Sequence, residues 1–507
     1  MYKMASNLVS IRRRNGEGRG AGGGRYEKTP ENVSDLGAKT ETKLYNSVLE
    51  LVGNTPLIKL NKLPRDHGVP CEIYAKCEFF NPSGSIKDRI ALSVIQDARQ
   101  AGVVNNDTEF VEASSGNTGI GIALNAAVSE NKCIIITEDN SSEEANTINL
   151  LGAEVIQAKN KDAIAYRLKD ENPDKVVILN QGDNPVNQRT HYENTAEEIV
   201  SALGDVDMVV MGTGTGDTMT GIGLKLKERN PKCVVVVAEP DGSVVFNTKD
   251  KEHPFLVEGI GGSNLSITID KSVADHFEVV TDQESFLMSR EMAKKEGLLC
   301  GGSSGTAMAA AIKAVKALNV GPGQRVVVIL PDGIRNYMSK FVSDQWMEAH
   351  RFIEPPAHTM KWWKRPITDI YLRRSYPKLN KDSTCVHALR AMNTHNVNLA
   401  VIVDDLGGFV GVVTKDNLRN RATNPTKLPG QDSENFDFEG AVFDNLDRHV
   451  FTLAEKSEAG HPTVGLLSRM LDITPFVIIV NKGTSDENDF FIPTGVVTSD
   501  DILDYII

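Results

Sequence analysis

A lysine that could act as a nucleophile lies in residues 83–89, which read Ser-Gly-Ser-Ile-Lys-Asp-Arg. This segment is a polar loop that runs into an amphipathic helix, with Ser85 and Asp88 spaced as in a capping box. Lys87 is then expected in the first helical turn, at the positive end of the macrodipole, where an ammonium is disfavoured. The pattern predicts a lowered pKa for Lys87, and a neutral lysine is what Schiff-base chemistry needs. Taken alone, the same spacing is also typical of a solvated surface lysine.

Three glycine loops favour the chemical interpretation. Residues 114–119 and 212–218 each follow an apolar run and precede a helix, and residues 300–306 precede an alanine-rich helix. A strand, a glycine turn and a helix N-terminus bring backbone N–H groups together around an anion. None of the loops has the spacing of a dinucleotide fingerprint or a P-loop. A lysine that can be neutral, an anion loop and a wall of small residues together predict pyridoxal phosphate as cofactor.

The elements that must position these loops form an α/β pattern. Five continuous apolar runs alternate with helical patterns between residue 44 and about residue 350, and continuous runs are typical of strands covered on both faces. Strands that alternate with helices predict parallel sheets. The runs are residues 110–113, 134–136, 208–211, 234–237 and 326–330.

Composition excludes several classes of protein. The formal net charge of −13 argues against general nucleic-acid binding, and no run approaches 18 consecutive apolar residues, so no membrane span is expected. The six cysteines are scattered and no metal-ligand spacing occurs, which predicts reduced thiols, no metal site and a cytoplasmic location.

The chain divides into four predicted parts. Residues 1–42 are glycine-rich with a short basic run and predict a disordered tail, an organelle-transit segment being the weaker interpretation. Residues 43–350 form the predicted catalytic domain and 351–373 a linker. Residues 374–507 contain an internal repeat, because Gly-Val-Val-Thr at 411–414 recurs as Gly-Val-Val-Thr at 495–498.

Seven motifs carry a family resemblance. The chain resembles the fold-type II pyridoxal-phosphate enzymes that make cysteine or cystathionine and, within them, the cystathionine β-synthase family. The repeat resembles a tandem of CBS motifs, a module that senses adenosyl ligands. The catalytic motifs are residues 54–57, 76–81, 85–89, 115–119, 296–303, 335–341 and 344–347.

The resemblance implies a core of two parallel-sheet subdomains followed by an α/β regulatory domain. It implies a β-replacement in which L-serine and L-homocysteine give cystathionine and water, carried out by a homodimer or homotetramer. Lys87 would bind the cofactor aldehyde and move the α-proton, Asn117 would contact the ring oxygen, and Ser303 would face the pyridine nitrogen. The phosphate contacts implied are Gly214, Thr215, Gly216, Asp217 and Thr218. The contacts implied for the substrate carboxylate are Ser115, Thr118 and Gln181.

Three residues depart from the family pattern. Asp217 replaces a glycine of the phosphate loop and would repel a phosphate, so its N–H is expected to donate with the side chain turned outward. Gly182 and Gly262 stand where the family has tyrosines, which leaves a less enclosed pocket that discriminates thiols poorly. A cysteine synthase or a serine sulfhydrylase that releases hydrogen sulfide is therefore an alternative, and Asp217 favours a third, a ligand-sensing paralogue with little turnover.

The resemblance also bears on two further ligands. In the CBS module a hydroxyl residue and an aspartate three positions on grip a ribose, a pattern that Thr498 and Asp501 match, whereas Thr414 is followed by Asn417. An adenosyl ligand such as S-adenosylmethionine is thus one expectation, and a tandem that serves assembly alone is the other. Some family members carry a haem on an N-terminal cysteine and histidine. No haem is expected here, since Cys71 and His67 are the first of their kinds.

Replacement of Lys87 by alanine tests the central assignment. Without this amine the cofactor aldehyde has no partner at the site, so we expect the purified variant to lose both the yellow colour of lysine-bound cofactor and product formation. Absorption spectroscopy and a product assay measure the two, and survival of both would refute the assignment.

Overall fold

The structure is a computed structural model, in which sixteen strands and fifteen α-helices can be described. The described residues are 43–114, 116–137, 142–158, 160–248, 251–262, 267–355, 358–370, 372, 375–423, 437–447, 450–456, 461–484 and 489–507. The predicted tail, residues 1–42, lies outside them. The strands are β1 Leu57–Lys59, β2 Glu72–Cys77, β3 Glu109–Glu112, β4 Lys132–Thr137, β5 Glu154–Gln157, β6 Val176–Ile178, β7 Met208–Gly212, β8 Val234–Pro240, β9 His276–Val280, β10 Arg325–Leu330, β11 Lys378–Asn380, β12 Leu399–Val403, β13 Phe409–Thr414, β14 Thr452–Ala454, β15 Phe476–Thr484 and β16 Asp489–Thr498.

The helices alternate with these strands through the first two thirds of the chain. A π-helical turn, His191–Thr195, joins the sixth helix to the seventh. The helices are α1 Leu63–Asp66, α2 Lys87–Gln100, α3 Asn117–Ser129, α4 Ser142–Leu150, α5 Lys161–Glu171, α6 Pro185–Thr190, α7 Ala196–Leu203, α8 Asp217–Arg229, α9 Asp282–Glu296, α10 Gly302–Ala317, α11 Asp344–Ala349, α12 Cys385–Thr394, α13 Lys415–Thr423, α14 Val464–Leu471 and α15 Ser499–Ile506.

Two sheets build the catalytic part. One has four strands in the order β5-β4-β3-β6 and is parallel throughout. The other has six strands in the order β1-β2-β10-β7-β8-β9 and is parallel except for β1. All five apolar runs are strands of these sheets, which confirms the predicted α/β fold. Parallel strands of this kind need helices on both faces, because their side chains are apolar on both sides.

The small side chains of the alanine-rich helix α10 allow it to pack closely against its neighbours. It packs against α9 so closely that a Cβ on Gly305 would lie 1.9 Å from the carbonyl oxygen of Ser285. The small side chains of Ala307, Ala310 and Ala311 are fully buried next to the six-stranded sheet. Close approach of this helix brings its N-terminus to the edge where the strands of the sheet end.

The C-terminal third contains two sheets of the same design. In each, a short strand pairs in parallel with the first strand of a hairpin, giving the orders β11-β12-β13 and β14-β15-β16. The repeated Gly-Val-Val-Thr segment ends the second hairpin strand of each copy, directly before α13 or α15. Val412 and Val496, from the two copies, belong to one buried apolar cluster. The repeat in the amino-acid sequence is therefore also a repeat in the structure.

The described part of the chain contains neither a membrane-spanning helix nor a metal cluster. No described helix is long and apolar enough to cross a membrane. In the same described ranges, no group of three or more histidine, cysteine or acidic side chains could hold a metal ion. None of the six cysteines, which all lie within the described residues, forms a disulfide, and all six are buried.

A buried ionic network ties α2 to its neighbours. Arg89 donates to Glu78 at 2.6 Å and to both oxygens of Glu198 at 2.7 Å, and Lys76 donates to Glu198 at 2.5 Å. Burial raises the pKa of Glu198, but the hydrogen bonds and charges of Arg89 and Lys76 outweigh it and hold that pKa at about 2. The network joins β2, α2 and α7, so it fixes the helix that begins at Lys87.

We expect Arg89→Ala to destabilise the catalytic part by about 3–5 kcal/mol, because the fully buried carboxylate of Glu78 loses its partner. The matched control is Arg229→Ala, which breaks an ion pair with Asp205 whose side chains are 61% and 65% exposed and should cost about 0–1 kcal/mol. Urea unfolding of the two variants measures both. Equal losses in the two variants would contradict the role given to the network.

Candidate active site

Lys87 is the first residue of α2, and its amine lies among side chains from other elements. The Nζ atom donates to Gln181 Oε1 at 3.2 Å. Burial lowers the pKa of Lys87, while the carboxylates of Asp217 and Glu112 act in the opposite direction. This is the direction of the shift that the sequence predicts, and burial is its largest cause.

The expected capping box is wrong. The N-cap of α2 is Ile86, which makes no side-chain cap hydrogen bond. The Asp88 carboxylate instead accepts from the N–H of Ser83 at 2.7 Å and from its hydroxyl. Ser85 Oγ accepts from the N–H of Lys87 at 3.2 Å. Asp88 therefore stabilises the turn before the helix, not the free N–H groups at its end.

Two of the three residues predicted for the substrate carboxylate lie at this amine. The Thr118 hydroxyl donates to Gln181 Oε1 at 3.3 Å, so Lys87 and Thr118 share one amide oxygen. Thr118 is the second residue of α3, whose N-terminus follows β3. The third, Ser115, lies outside the described residues.

The side chain of Asn117 is oriented by two neighbours. Its Nδ2 donates to Asp332 Oδ2 at 2.8 Å, and its Oδ1 accepts from Asn336 at 3.1 Å. A carboxylate can only accept, so this contact identifies Nδ2, which keeps a second hydrogen for another acceptor. Tyr337 also donates to Asp332 Oδ2, at 2.6 Å, and burial raises the pKa of Asp332 to about 6.

Asp332 also contacts the start of α10, the helix that carries Ser303. The carbonyl of Asp332 accepts from the N–H of Gly301, the N-cap of α10, at 2.9 Å, and a Cβ on Gly301 would lie 2.0 Å from Asp332 Oδ1. Ser303, the second residue of α10, is buried. Sequence reasoning missed Asp332, although its place two residues after β10 was a usable signal.

The predicted phosphate loop joins β7 to α8. Gly216 has φ +92°, a conformation that favours glycine, and a Cβ there would lie 2.4 Å from Ile269. The loop thereby brings its backbone to the N-terminus of a helix of thirteen residues. Thr218 is in the first turn of α8, and its hydroxyl lies 3.1 Å from His191 Nε2.

The expected orientation of Asp217 is wrong. Its side chain is fully buried rather than turned outward, and Oδ2 accepts from Asn187 Nδ2 at 3.0 Å. Burial raises the pKa of Asp217, and hydrogen bonding from Thr215 and Thr268 lowers it in part. Asn187 belongs to α6, which packs against α8 and offers the amide that draws the carboxyl inward.

A second buried carboxyl, Glu112, was not identified from the sequence. It ends β3, and its Oε1 accepts from the N–H of Gln181 at 3.1 Å. Asn180 has φ +47°, a left-handed conformation that asparagine adopts more readily than most residues, and the N–H of Asn180 also contacts Glu112. Burial raises the pKa of Glu112 to about 7. Glu112 holds the turn that presents Gln181 to Lys87.

The two glycines that replace family tyrosines leave space. A Cβ on Gly182 would have Asn180 Oδ1, at 3.9 Å, as its nearest neighbour, and one on Gly262 would meet no atom of the described residues within 4 Å. Gly262 has φ +133°, which a tyrosine would adopt only with strain.

The repeated module also brings its predicted pair together. Thr498 donates to Asp501 Oδ2 through both its N–H and its hydroxyl, at 2.7 Å each. The pair forms the capping box of α15. In the first copy, Thr414 Oγ1 accepts from the N–H of Asn417 at 3.0 Å.

These residues fit pyridoxal phosphate. The Lys87 amine has a lowered pKa, the glycine loop leads into a helix N-terminus that suits an anion, and the Asn117 amide keeps one donor hydrogen for a ligand. The one feature against the fit is the buried carboxyl of Asp217 at the same helix end. The fold and the site together define a pyridoxal-phosphate-dependent enzyme.

Comparison with known proteins supports the assignment to the pyridoxal-phosphate-dependent enzymes. The family described as "Pyridoxal-phosphate dependent enzyme" matches residues 48–332, and "CBS domain" matches residues 367–423. The chain is 37% identical to the cystathionine β-synthase of Apis mellifera over 92% of this chain and 91% of that protein. It is 35% identical to that of Rattus norvegicus over 92% of this chain and 86% of that protein. The chain belongs to the cystathionine β-synthase family and is a pyridoxal-phosphate-dependent lyase.

Two solved structures resemble its catalytic part. A hydrogen sulfide-producing enzyme from Fusobacterium nucleatum has a TM-score of 0.55 and 38% identity, and covers 58% of this chain and all of its own. An O-acetylserine-dependent cystathionine β-synthase from Helicobacter pylori has a TM-score of 0.54 and 34% identity, and covers 59% of this chain and 98% of its own.

Replacement of Glu112 by glutamine should change how stability depends on pH. The native pKa is about 7 and the ordinary value 4.5, so the unfolded chain ionises first and wild-type stability falls as pH rises from 4.5 through 7. Glu112→Gln removes this loss, and its free energy of unfolding should gain about 3 kcal/mol on wild type between pH 4.5 and pH 8. Urea unfolding at both pH values measures the gain.

The matched control for this measurement is Glu109→Gln, on the same strand and partly exposed. It should show a much smaller change with pH. A difference between Glu112→Gln and wild type that is the same at pH 4.5 and pH 8 would contradict the assignment.

Proposed function

We propose that this chain condenses L-serine with L-homocysteine to cystathionine and water, the β-replacement of transsulfuration in cysteine biosynthesis. The observation that carries the proposal is the convergence of Lys87, Thr118 and Gln181 through one amide oxygen. Membership of the cystathionine β-synthase family supports it.

The proposed roles follow from the chemistry of each side chain. Pyridoxal phosphate, when bound, supplies the electron sink that stabilises negative charge at the α-carbon of the substrate. Lys87, whose burial favours the neutral amine, accepts the proton from that carbon and returns it after the thiol has added. Thr118, Gln181 and the predicted residue Ser115 bind the substrate carboxylate. Glu112 keeps Gln181 in place.

The remaining side chains are proposed to hold the cofactor. Asn117, oriented by Asp332, donates its second Nδ2 hydrogen to the ring oxygen. Ser303 faces the pyridine nitrogen, where a hydroxyl leaves the nitrogen unprotonated and moderates the electron sink. The phosphate is held by the loop and first turn of α8, through Gly214, Thr215, Gly216, Asp217 and Thr218.

A second candidate is the use or release of sulfide. Gly182 and Gly262 leave room where the family has tyrosines, so the pocket should discriminate poorly between thiols. The hydrogen sulfide-producing enzyme of Fusobacterium nucleatum has the same fold. A ligand-sensing protein with little turnover is the third candidate, and the buried Asp217 favours it.

We also propose an adenosyl ligand for the C-terminal module, at Thr498 and Asp501. Their hydroxyl and carboxylate are 2.7 Å apart, so the two polar groups that the resemblance assigns to a ribose lie together. A tandem that only stabilises the assembly remains the alternative, because the same pair caps α15. A homodimer or homotetramer in the cytoplasm is the proposed state of the protein.

One assay separates these functions. The protein is incubated with serine and either homocysteine or sulfide, with and without S-adenosylmethionine, and the products are identified by mass. We expect cystathionine as the main product. Cysteine alone would favour the second candidate, and no product in any arm would refute an enzymatic role.

A variant of the pocket sharpens this assay. Gly182→Tyr should raise the ratio of kcat/KM for homocysteine to that for sulfide by about 10-fold, since an added aromatic wall contacts the larger thiol. Gly182→Ala is the matched control, because it changes the backbone preference without adding the wall. A rise in both variants would contradict this explanation.

A further inference from the structure

Asp217 is the one residue of the predicted phosphate loop with an acidic side chain, and the structure buries it. It is the first residue of α8, directly after Gly216, and its side chain is fully buried. Oδ2 accepts from Asn187 at 3.0 Å. The hydroxyls of Thr215 and Thr268 also interact with the carboxyl, but no aligned hydrogen bond from the described residues reaches Oδ1. A buried carboxyl with one satisfied oxygen and one unsatisfied oxygen is suited to carry a proton on the second.

The charges that face Asp217 come from few elements. Lys87, at the start of α2, is the charged group that acts on it and lowers its pKa, against the larger effect of burial. His191, in the π-helical turn, is also buried, and burial lowers its pKa well below the usual range, so it is neutral. From α6 comes only the neutral amide of Asn187, and Glu112, at the end of β3, acts on Lys87.

Binding of the cofactor changes this balance in one direction. The phosphate brings up to two negative charges to the same helix end. This change disfavours an ionised Asp217. A neutral carboxylic acid, in contrast, has an O–H that can donate to a phosphate oxygen, and such charge-assisted hydrogen bonds are strong.

We propose that Asp217 is a direct ligand of the cofactor phosphate in its protonated form, so that binding of pyridoxal phosphate takes up one proton from solvent at this carboxyl. The O–H lies on Oδ1, since Oδ2 accepts from Asn187. A glycine at this position offers the phosphate only its N–H. The aspartate adds a donor at low pH and a repulsive charge at high pH, which makes cofactor retention depend on pH. Proton uptake at Asp217 accompanies cofactor binding whichever thiol the enzyme uses.

The test compares cofactor affinity in the wild-type apoprotein and in Asp217→Asn. Equilibrium dialysis at pH 7 and pH 9 gives the dissociation constant of pyridoxal phosphate for each protein. The amide that this substitution introduces keeps an acceptor for Asn187 and cannot ionise. We expect the ratio of the wild-type constant to the variant constant to rise by at least about tenfold between pH 7 and pH 9, as linkage to one proton requires.

Pyridoxal, which lacks the phosphate but carries the same aldehyde, is the control ligand. Titration of Lys87 affects both ligands, so for pyridoxal the ratio should stay nearly constant with pH. Calorimetry of pyridoxal phosphate binding in two buffers of different ionisation enthalpy should show about one more proton taken up by wild type than by Asp217→Asn.

Two results would overturn the proposal. One is a ratio for pyridoxal phosphate that is the same at both pH values, including a constant loss of affinity in the variant. The other is a change of equal size for pyridoxal. If circular dichroism shows that Asp217→Asn does not fold, Asp217→Gly, which restores the family residue, replaces it with the same expected ratios.

Discussion

The carboxyl ends of the parallel strands meet where the amine of Lys87 is buried, and the rest of the site depends on this geometry. Glu112 ends β3, Gly212 ends β7, and Asp332 follows β10 by two residues. The first strand belongs to the four-stranded sheet and the other two belong to the six-stranded sheet, and in each sheet these ends lie next to the N-termini of the helices that follow. The contact of Asn117 with Asp332 joins the two sets of strand ends, although the two residues are far apart in the chain.

Burial explains most of the electrostatics at this edge. It lowers the pKa of the Lys87 amine and raises the pKa of the carboxyls of Glu112, Asp217 and Asp332. Burial disfavours the ionised form of each of these four side chains. Their protonation states are therefore sensitive to the charge of a bound ligand. The Arg89 network shows the opposite case, because Arg89 outweighs burial and keeps Glu198 ionised.

The departures from the family pattern act at different points of the pocket. Around Gly182 and Gly262 the described structure leaves room for an added Cβ. The buried carboxyl of Asp217 contacts α6, at the end of α8 that is proposed to take the phosphate. We therefore propose that thiol preference and cofactor retention depend on separate residues.

The sequence by itself determined the α/β fold, the five buried strands, the repeated C-terminal module and the lysine with its glycine loops. These are local patterns, read from apolar runs and from residues that only certain turns accept. Only the tertiary structure decided that Asp88 holds a turn rather than a helix end, that Glu112 supports Gln181, and that Asp332 orients Asn117. It also decided that Asp217 points inward, since the Asn187 amide that draws it there is brought by the packing of α6 on α8. Contacts between residues far apart in the chain leave no pattern along it, and for that reason the side chains that tune the site became visible only in the folded protein.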